Sequence, residues 1–397
     1  MSEVAQAPQL RFSEFSDEWE AGYLNEFIDS LDAGVSVNST DRQAESNEKC
    51  ILKTSCVSSG VFKLKENKVV LDDDEIQRLK EPLQSNTIII SRMNTPALVG
   101  ANAIVTYSMS NVFLPDRLWA AKINKNYSGK WLGILMSSTK FRAALSARAT
   151  GTSASMKNIT KGDVLSLKIT YPAKPEQQKI AAFLTAVDTK IEQLSNKKAL
   201  LGEYKKGLMQ QIFSQAIRFK ADDGSDFPNW EEKKLGDILD YEQPTNYIVD
   251  STEYDNSFDM PVLTAGKSFI LGYTNETHKV FENIPVIIFD DFTTANKYVD
   301  FPFKVKSSAM KILKPKDSFV NIRLIFEFIQ MLNFPIGEHK RYWISEYQDL
   351  KIPFPSFEEQ TKIASFLSSI DNKIEQVGKQ LDESKQFKKA LLQQMFV

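Results

Sequence analysis

The sequence predicts an α/β (α+β) chain made of two repeated units, with two mixed α/β modules joined by two long helices that pair as an antiparallel coiled coil. Three observations carry that prediction. Stretch 179–213, KIAAFLTAVDTKIEQLSNKKALLGEYKKGLMQQIF, returns as 362–396, KIASFLSSIDNKIEQVGKQLDESKQFKKALLQQMF. Laid over each other without gaps, the copies share KIA, a Phe-Leu pair, D-x-KIEQ and KK-x-L-x-QQ-x-F. Apolar residues in each copy step by three and four, as in a coiled-coil seam. The regions ahead of each copy instead cluster β-branched and apolar residues between Gly, Asn and Pro breaks, as strands do.

Taken in order, the chain opens with LRFSEFSDEWEAGYLNEFID (10–29), echoed by IRFKADDGSDFPNWEEKKLGDILD (217–240). Arg11-Phe12 matches Arg218-Phe219, Trp19 matches Trp230, and Leu24 matches Leu235. The expected divisions are a first module over 1–174, a first rod helix over 175–215, a second module over 216–353 and a second rod helix over 354–397. In the first module, CILKTSCVSSGVFK, NTIIISRMNTPALVGANAIVTYSM and LWAAKIN read as strands. Segment 130–149 reads as one helix running into the Gly/Ser/Thr-rich ATGTSASMKNIT. In the second, MPVLTAGKSFILGYT, IPVIIFDDFTT and YVDFPFKVKSSAMKIL read as strands and 322–332 as a helix. The modules resemble each other poorly, so a scaffold has been duplicated while what it carries has diverged.

The first rod's seam is Ile180, Leu184, Val187, Ile191, Leu194, Leu201, Leu208 and Ile212, interrupted at Lys198 and Lys205. The second is Ile363, Leu367, Ile370, Ile374, Val377, Leu381, Leu391 and Met395, weak at Ser384 and Lys388. Each seam needs a partner, and each is the other's best candidate; the alternative is that each binds some third protein. A helix of this length is roughly 50 Å long, and antiparallel pairing lets the chain path place one module at each end. Pro172 and Pro175 precede the first rod, and Pro353 and Pro355 the second. Ser356 with Glu359 three residues on fits a capping box, whereas Ala173 requires the first rod to cap differently.

At 397 residues the chain has room for two or three domains. Its formal net charge of −2 supplies no global field toward nucleic acid or an anionic membrane, so any nucleic-acid surface is local. No run approaches the ~18 apolar residues of a membrane span, and MSEVAQAPQLRF lacks a basic-then-apolar signal pattern, so a cytoplasmic protein without membrane partners is expected. Cys50 and Cys56 have no His or acidic partner at metal spacing and read as reduced thiols. Only His278 and His339 are imidazoles, which disfavours His-based catalysis, and no metal or catalytic residue is assigned. The P-loop pattern is absent. So are the Gly motif and N/D-P-P-aromatic loop of an amino-methylating enzyme, since Asn333-Phe334-Pro335-Ile336 is not that loop. Asp290-Asp291 lacks a convincing downstream lysine for a nuclease site.

With these residues in view, the chain resembles the specificity subunits of type I restriction–modification enzymes over nearly its whole length. The resemblance rests on the paired modules, each followed by a Pro, then EQ…KIA…L…D-x-KIEQ, and on the blocks SRMNTPALVG (91–100), LPDRLW (114–119), ATGTSASMKNI (149–159), VLTAGKSFILGYT, VIIFDDFTT and KRYWISEY. It implies a non-catalytic reader of double-stranded DNA with two target-recognition domains, each reading one half of a bipartite, asymmetric site, while the helix pair sets the unread spacer. It further implies docking of two methyltransferase subunits and of translocase–endonuclease subunits. S-adenosylmethionine, ATP and Mg would then belong to those partners, with no cofactor in this chain. The seam residues Ile180, Leu184, Val187, Ile191, Ile363, Leu367, Ile370 and Ile374 are the candidate partner-binding positions.

Candidate DNA contacts in the first module are Arg92, Asn94, Thr95, Lys140, Arg142, Thr152, Ser153, Lys157 and Asn158. In the second they are Thr264, Lys267, Thr293, Thr294, Lys304, Lys306, Ser307, Lys340, Arg341 and Tyr342, with Gly266 and Ser308 beside them. Arg pairs bidentately with guanine and Asn with adenine, while Lys, Ser and Thr suit phosphates. The bland reading of SRMNTP is a turn held by Asn and Pro. Asp290 and Asp291 better suit turn or capping roles than DNA contact. Lys304 and Lys306 are expected to share one strand face, toward DNA or merely toward solvent. Lys197, Lys198, Lys205, Lys206, Lys388 and Lys389 are expected to face solvent rather than spacer phosphates. A coiled-coil scaffold spacing two ligand-binding modules without DNA affinity is the competing reading, and an enzyme is a third.

Overall fold

The computed structural model describes residues 7–153, 156–265, 268–335 and 341–397. It divides into two compact units, one of residues 1–193 and 381–397 and the other of 194–380. Among the described residues no helix is long and apolar enough to cross a membrane.

In the first unit an antiparallel sheet has the order Ile28–Ala33, Leu118–Ile123, Thr87–Ser91, Asn102–Val105. The strand Thr87–Ser91 is buried throughout because its alternate side chains serve two cores. Ile88 and Ile90 pack with Trp131, Leu132 and Met136 from the helix Gly129–Ser137. Ile89 packs with Cys50, Leu52, Cys56 and Val57 beneath a second sheet of order Asn67–Val69, Cys50–Leu52, Met109–Phe113, Pro82–Leu83. Burial pushes the Cys50 thiol up to about 11 and the Cys56 thiol to about 12, leaving both inert.

The second unit repeats this plan in diverged sequence. Its antiparallel sheet has the order Leu239–Glu242, Met310–Pro315, Val286–Asp290, Asn296–Val299. Ile287 and Phe289 face a core with the helix Ile322–Met331, while Val286 and Ile288 face the other core. The smaller sheet, Ile270–Thr274, Met260–Leu263, Lys304–Val305, keeps one antiparallel and one parallel pairing. The same mixture occurs around Cys50–Leu52 in the first unit.

The rods are continuous helices, Lys174–Phe213 and Phe357–Gln394. In each unit the first turns of one rod run antiparallel to the last turns of the other. Ile180, Ala181 and Leu184 share a core with Leu391 and Met395 in the first unit; Ile363, Ala364 and Leu367 share one with Met209 and Ile212 in the second. Ion pairs mark the same crossing twice, Asp188–Lys388 at 2.6 Å and Lys205–Asp371 at 2.7 Å. Lys205 and Lys388, expected to face solvent, are instead half-buried and engaged in pairs that fix register. Lys197, Lys198, Lys206 and Lys389 are exposed.

Two local expectations are corrected. Segment 130–149 is two helices, Gly129–Ser137 and Thr139–Ala147, because the Ser138 hydroxyl accepts from the Phe141 N–H and restarts the helix. The Gly/Ser/Thr-rich stretch that follows forms strands Thr150–Ser153 and Met156–Asn158. The Ser356 hydroxyl does accept from the Glu359 N–H at 3.4 Å, but the Glu359 carboxylate binds Arg218 and Trp230 instead of closing a capping box.

Candidate nucleic-acid interface

In the first unit two segments far apart in sequence meet at the end of the buried strand Thr87–Ser91. Beyond Ser91 the Arg92 carbonyl accepts from the Ile159 N–H, and the strand Met93–Asn94 pairs with Met156–Asn158, which pairs in turn with Thr150–Ser153. Asn94, Lys157 and Asn158, with the backbone of Thr152 and Ser153, thus share one three-stranded sheet, with Arg92 just before it and Thr95 just after. Gly151 is required in the hairpin: its φ is +145°, and a Cβ there would meet the Met156 carbonyl oxygen at 2.9 Å.

Much of this patch is braced from behind. Asn94 Nδ2 donates to Ser91 Oγ at 3.2 Å, and Asn94 Oδ1 accepts from the Thr95 N–H at 2.9 Å. Arg142 Nη2 donates to the Ala97 carbonyl and Ser146 Oγ to the Pro96 carbonyl, so the helix Thr139–Ala147 supports the turn after Asn94. Lys157 Nζ donates to the Gly151 carbonyl at 3.0 Å. Arg92 sits 5.8 Å from the Trp119 ring. Among the described residues, three polar atoms of this patch are buried without a hydrogen-bond partner: Arg92 Nε, Arg142 Nε and Asn158 Oδ1. Desolvation lowers the Arg142 pKa below its ordinary value. A buried polar group left unmatched is costly. Lys140 is exposed on the Arg142 helix.

The second unit treats its candidates differently. Asp290 Oδ1 accepts from the Phe292 and Thr293 N–H groups, so it holds the turn that carries Thr293 and Thr294. Thr293 is exposed, and Thr294 has φ +57°. Asp291 Oδ1 accepts from the Trp343 N–H at 3.0 Å and lies 3.7 Å from Lys311 Nζ. Both aspartates therefore have the structural roles expected of them. The Thr264 N–H donates to the Phe269 carbonyl. Lys306 is half-buried, 5.9 Å from the Tyr254 ring, and the half-buried Ser307 hydroxyl accepts from the Ala309 N–H. Arg341 is exposed. Gly266, Lys267 and Lys340 lie outside the described residues.

Three assignments are overturned by burial. Lys304 is 0% exposed, and its ammonium binds Glu276 Oε2 at 2.5 Å and the His278 carbonyl at 2.7 Å, so it neither shares an outer face with Lys306 nor reaches DNA. Tyr342 is 1% exposed and packs against Phe334, a core residue. The seam residues Ile180, Leu184, Ile363, Leu367 and Ile370 are buried inside the chain's own units, and Val187, Ile191 and Ile374 are half-buried. The five buried side chains have no outward face for another subunit, while Val187, Ile191 and Ile374 keep part of theirs exposed.

Trp119 and Lys311, both at the strand ends beside these patches, were not singled out by sequence reasoning. The signal available was a charge inside the apolar run Met310–Leu313, since Lys311 is 2% exposed and lies 4.5 Å from the Tyr241 ring. Asp250, Glu276 and His278 also converge, but Lys279 and Lys304 already neutralise them: Lys279 bonds Asp250 at 2.8 Å.

Comparison with known proteins matches residues 16–202 and 228–384 to the type I restriction modification DNA specificity domain. The chain is 50% identical over 141 residues to the EcoR124I/EcoR124II specificity subunit of Escherichia coli, an alignment covering 34% of this chain and 35% of that protein. It is 21% identical over 412 residues to the MjaVIII specificity subunit of Methanocaldococcus jannaschii, covering 95% and 91% respectively. The crystal structure of a type I restriction–modification S subunit from M. genitalium superposes with a TM-score of 0.66 over 99% of both chains at 18% identity, which shows a shared fold. Two diverged modules on one duplicated frame, with the family match falling on both halves, place the chain in the type I restriction–modification DNA specificity family.

Proposed function

We propose that this chain is the DNA reader of a type I restriction–modification complex, each module recognising one half of a bipartite, asymmetric double-stranded site. In this reading the rods set the unread spacer and carry two methyltransferase subunits, whose cofactor is S-adenosylmethionine. Translocase–endonuclease subunits using ATP and Mg join them, and the assembly works in the cytoplasm. This chain contributes recognition and no catalysis. The observation that carries the reading is the convergence of Arg92, Asn94, Lys157 and Asn158 where the central strand's end meets one three-stranded sheet. Arg92 and Asn158 suit base edges; Lys157, Lys140, Thr152 and Ser153 suit phosphates. In the second module Thr264, Lys267, Thr293, Thr294, Lys306, Ser307, Lys340 and Arg341 are the remaining candidates.

The test is co-expression with the cognate methyltransferase subunit, followed by genome-wide mapping of methylated adenines. The expected result is one split motif with two unlike halves. A stable complex that methylates without a split motif, or leaves no motif, overturns the reading in favour of a spacing scaffold. Inserting one heptad into both rods is expected to lengthen the spacer and leave both halves unchanged.

A further inference from the structure

The two units share one buried polar joint that sequence similarity only hinted at. Glu176 is the third residue of the first rod and 1% exposed; Glu359 is the third residue of the second and 0% exposed. Each carboxylate is held by an arginine and a tryptophan from the duplicated segment ahead of its module. Arg11 donates from Nε at 2.7 Å and Nη2 at 2.8 Å, and Trp19 Nε1 lies at 3.4 Å. Arg218 donates at 3.2 and 2.7 Å, and Trp230 Nε1 at 2.7 Å.

The following residue is a buried glutamine in both units. Gln177 Oε1 accepts from the Ser128 N–H at 2.8 Å, and its Nε2 donates to the Pro172 carbonyl at 2.9 Å. Gln360 Oε1 accepts from the Asn321 N–H at 2.8 Å, and its Nε2 donates to the Pro355 and Phe319 carbonyls. Ser128 and Asn321 are the N-caps of the modules' own helices. The side chain after the carboxylate therefore ties the rod's first turn to the start of the helix that backs the central sheet.

Burying an ion pair and an amide is a poor way to gain stability, because well-packed apolar residues do as well or better. What directional hydrogen bonds add is a fixed angle, whereas ridge-in-groove packing of helices tolerates scatter of about 15–20°. The lever is long. A 40-residue helix extends about 60 Å, so a tilt of about 5° at its first turn displaces its far end by roughly 5 Å. One base-pair step is about 3.4 Å.

We propose that Glu176-Gln177 and Glu359-Gln360, with Arg11 and Arg218, are positioning residues that fix the spacer length accepted between the two half-sites. They act through the rod's angle on its own module and touch no DNA. The proposal rests on the reading that each module recognises a half-site, and the parent complex tests that reading first. If the parent shows no split motif, that reading fails independently of the joint.

Once the parent motif is mapped, the complex carrying Gln177→Leu and Gln360→Leu is assayed for methylation on duplexes holding both halves at the parent spacer and at one base pair more or less. The expected result is unchanged half-site bases, with the rate ratio between correct and shifted spacers falling at least tenfold. Glu176→Gln, which keeps hydrogen bonding, is expected to retain most of the strictness that Glu176→Leu loses; a purely structural role would not separate these two in spacer preference. An assembled leucine variant with parental strictness overturns the proposal. So does a variant whose half-site bases change, since that makes the joint part of base readout. Should the leucine variants fail to assemble, Arg11→Lys and Arg218→Lys, which lose the bidentate fork but keep the charge, decide by the same ratio.

Discussion

The ends of the two central strands occupy equivalent places and are built with opposite charge. In the first unit Arg92 follows Thr87–Ser91, its carbonyl accepts from the Ile159 N–H, and Trp119 lies beside it on the neighbouring strand. In the second Asp291 follows Val286–Asp290, its carbonyl accepts from the Tyr342 N–H, and Lys311 takes the place of Trp119. The backbone bonds are the same, but the chemistry is not. Arg92 retains a buried N–H without a partner, whereas Asp291 is consumed by Trp343 and Lys311. A strand end offered as a reading group in the proposed function of one module is thus a brace in the other, and under that proposal the second module would read with groups on the turns around it.

That contrast breaks first at the braces. Asp291→Ala leaves the Lys311 ammonium buried without its carboxylate, and Lys304→Ala does the same to Glu276, whose side chain is 10% exposed. Each is expected to destabilise the second unit by about 3–5 kcal/mol. Hydrogen exchange resolved by unit will show the loss there, with the first module's half-site unaltered. A smaller effect, of a different kind, is expected from Arg92→Ala: about 1–3 kcal/mol of half-site affinity, relaxed base preference in that half alone, and a nearly unchanged unfolding midpoint. Lys157→Ala is expected to weaken binding evenly across sequences and to reduce the salt slope by about one, read from binding isotherms at several salt concentrations.

The smallest effect is on pH. Burial lowers the Lys311 pKa in the folded protein from 10.5, against the opposing pull of Asp291, so the unfolded chain binds the extra proton between the two values. The second unit is therefore expected to gain stability as pH rises toward 10.5, and Lys311→Met, titrated in parallel, to lose that gain.

The rods were legible because a repeated apolar period over ten turns has one physical meaning, and the repeat supplied its own partner. The strands were legible as runs, but not as a topology that gives Ile88 and Ile89 to different cores. Lys304 was misread because alternation with Phe303 and Val305 implies an open face, whereas its strand spans only two residues and Glu276 reaches it from another segment. SRMNTP and MKN were each suspected, yet nothing in either announces that they pair. The glutamines at the rod bases were seen in the repeated EQ…KIA pattern, but their role was not, for the same reason: a buried amide is specified by backbone groups that sequence does not place.

The first unit includes residues 381–397, and its core contains Leu391 and Met395 packed against Ile180 and Leu184. On the ribosome those residues follow the whole second unit. At about 5–20 residues per second, the module made first waits roughly 10–40 s with an open apolar wall before its last core residues exist. The second unit, drawn from one continuous stretch, has no such delay. Synthesis order and completion order are thus reversed, and the first module is the one whose newborn chain most needs shelter from aggregation.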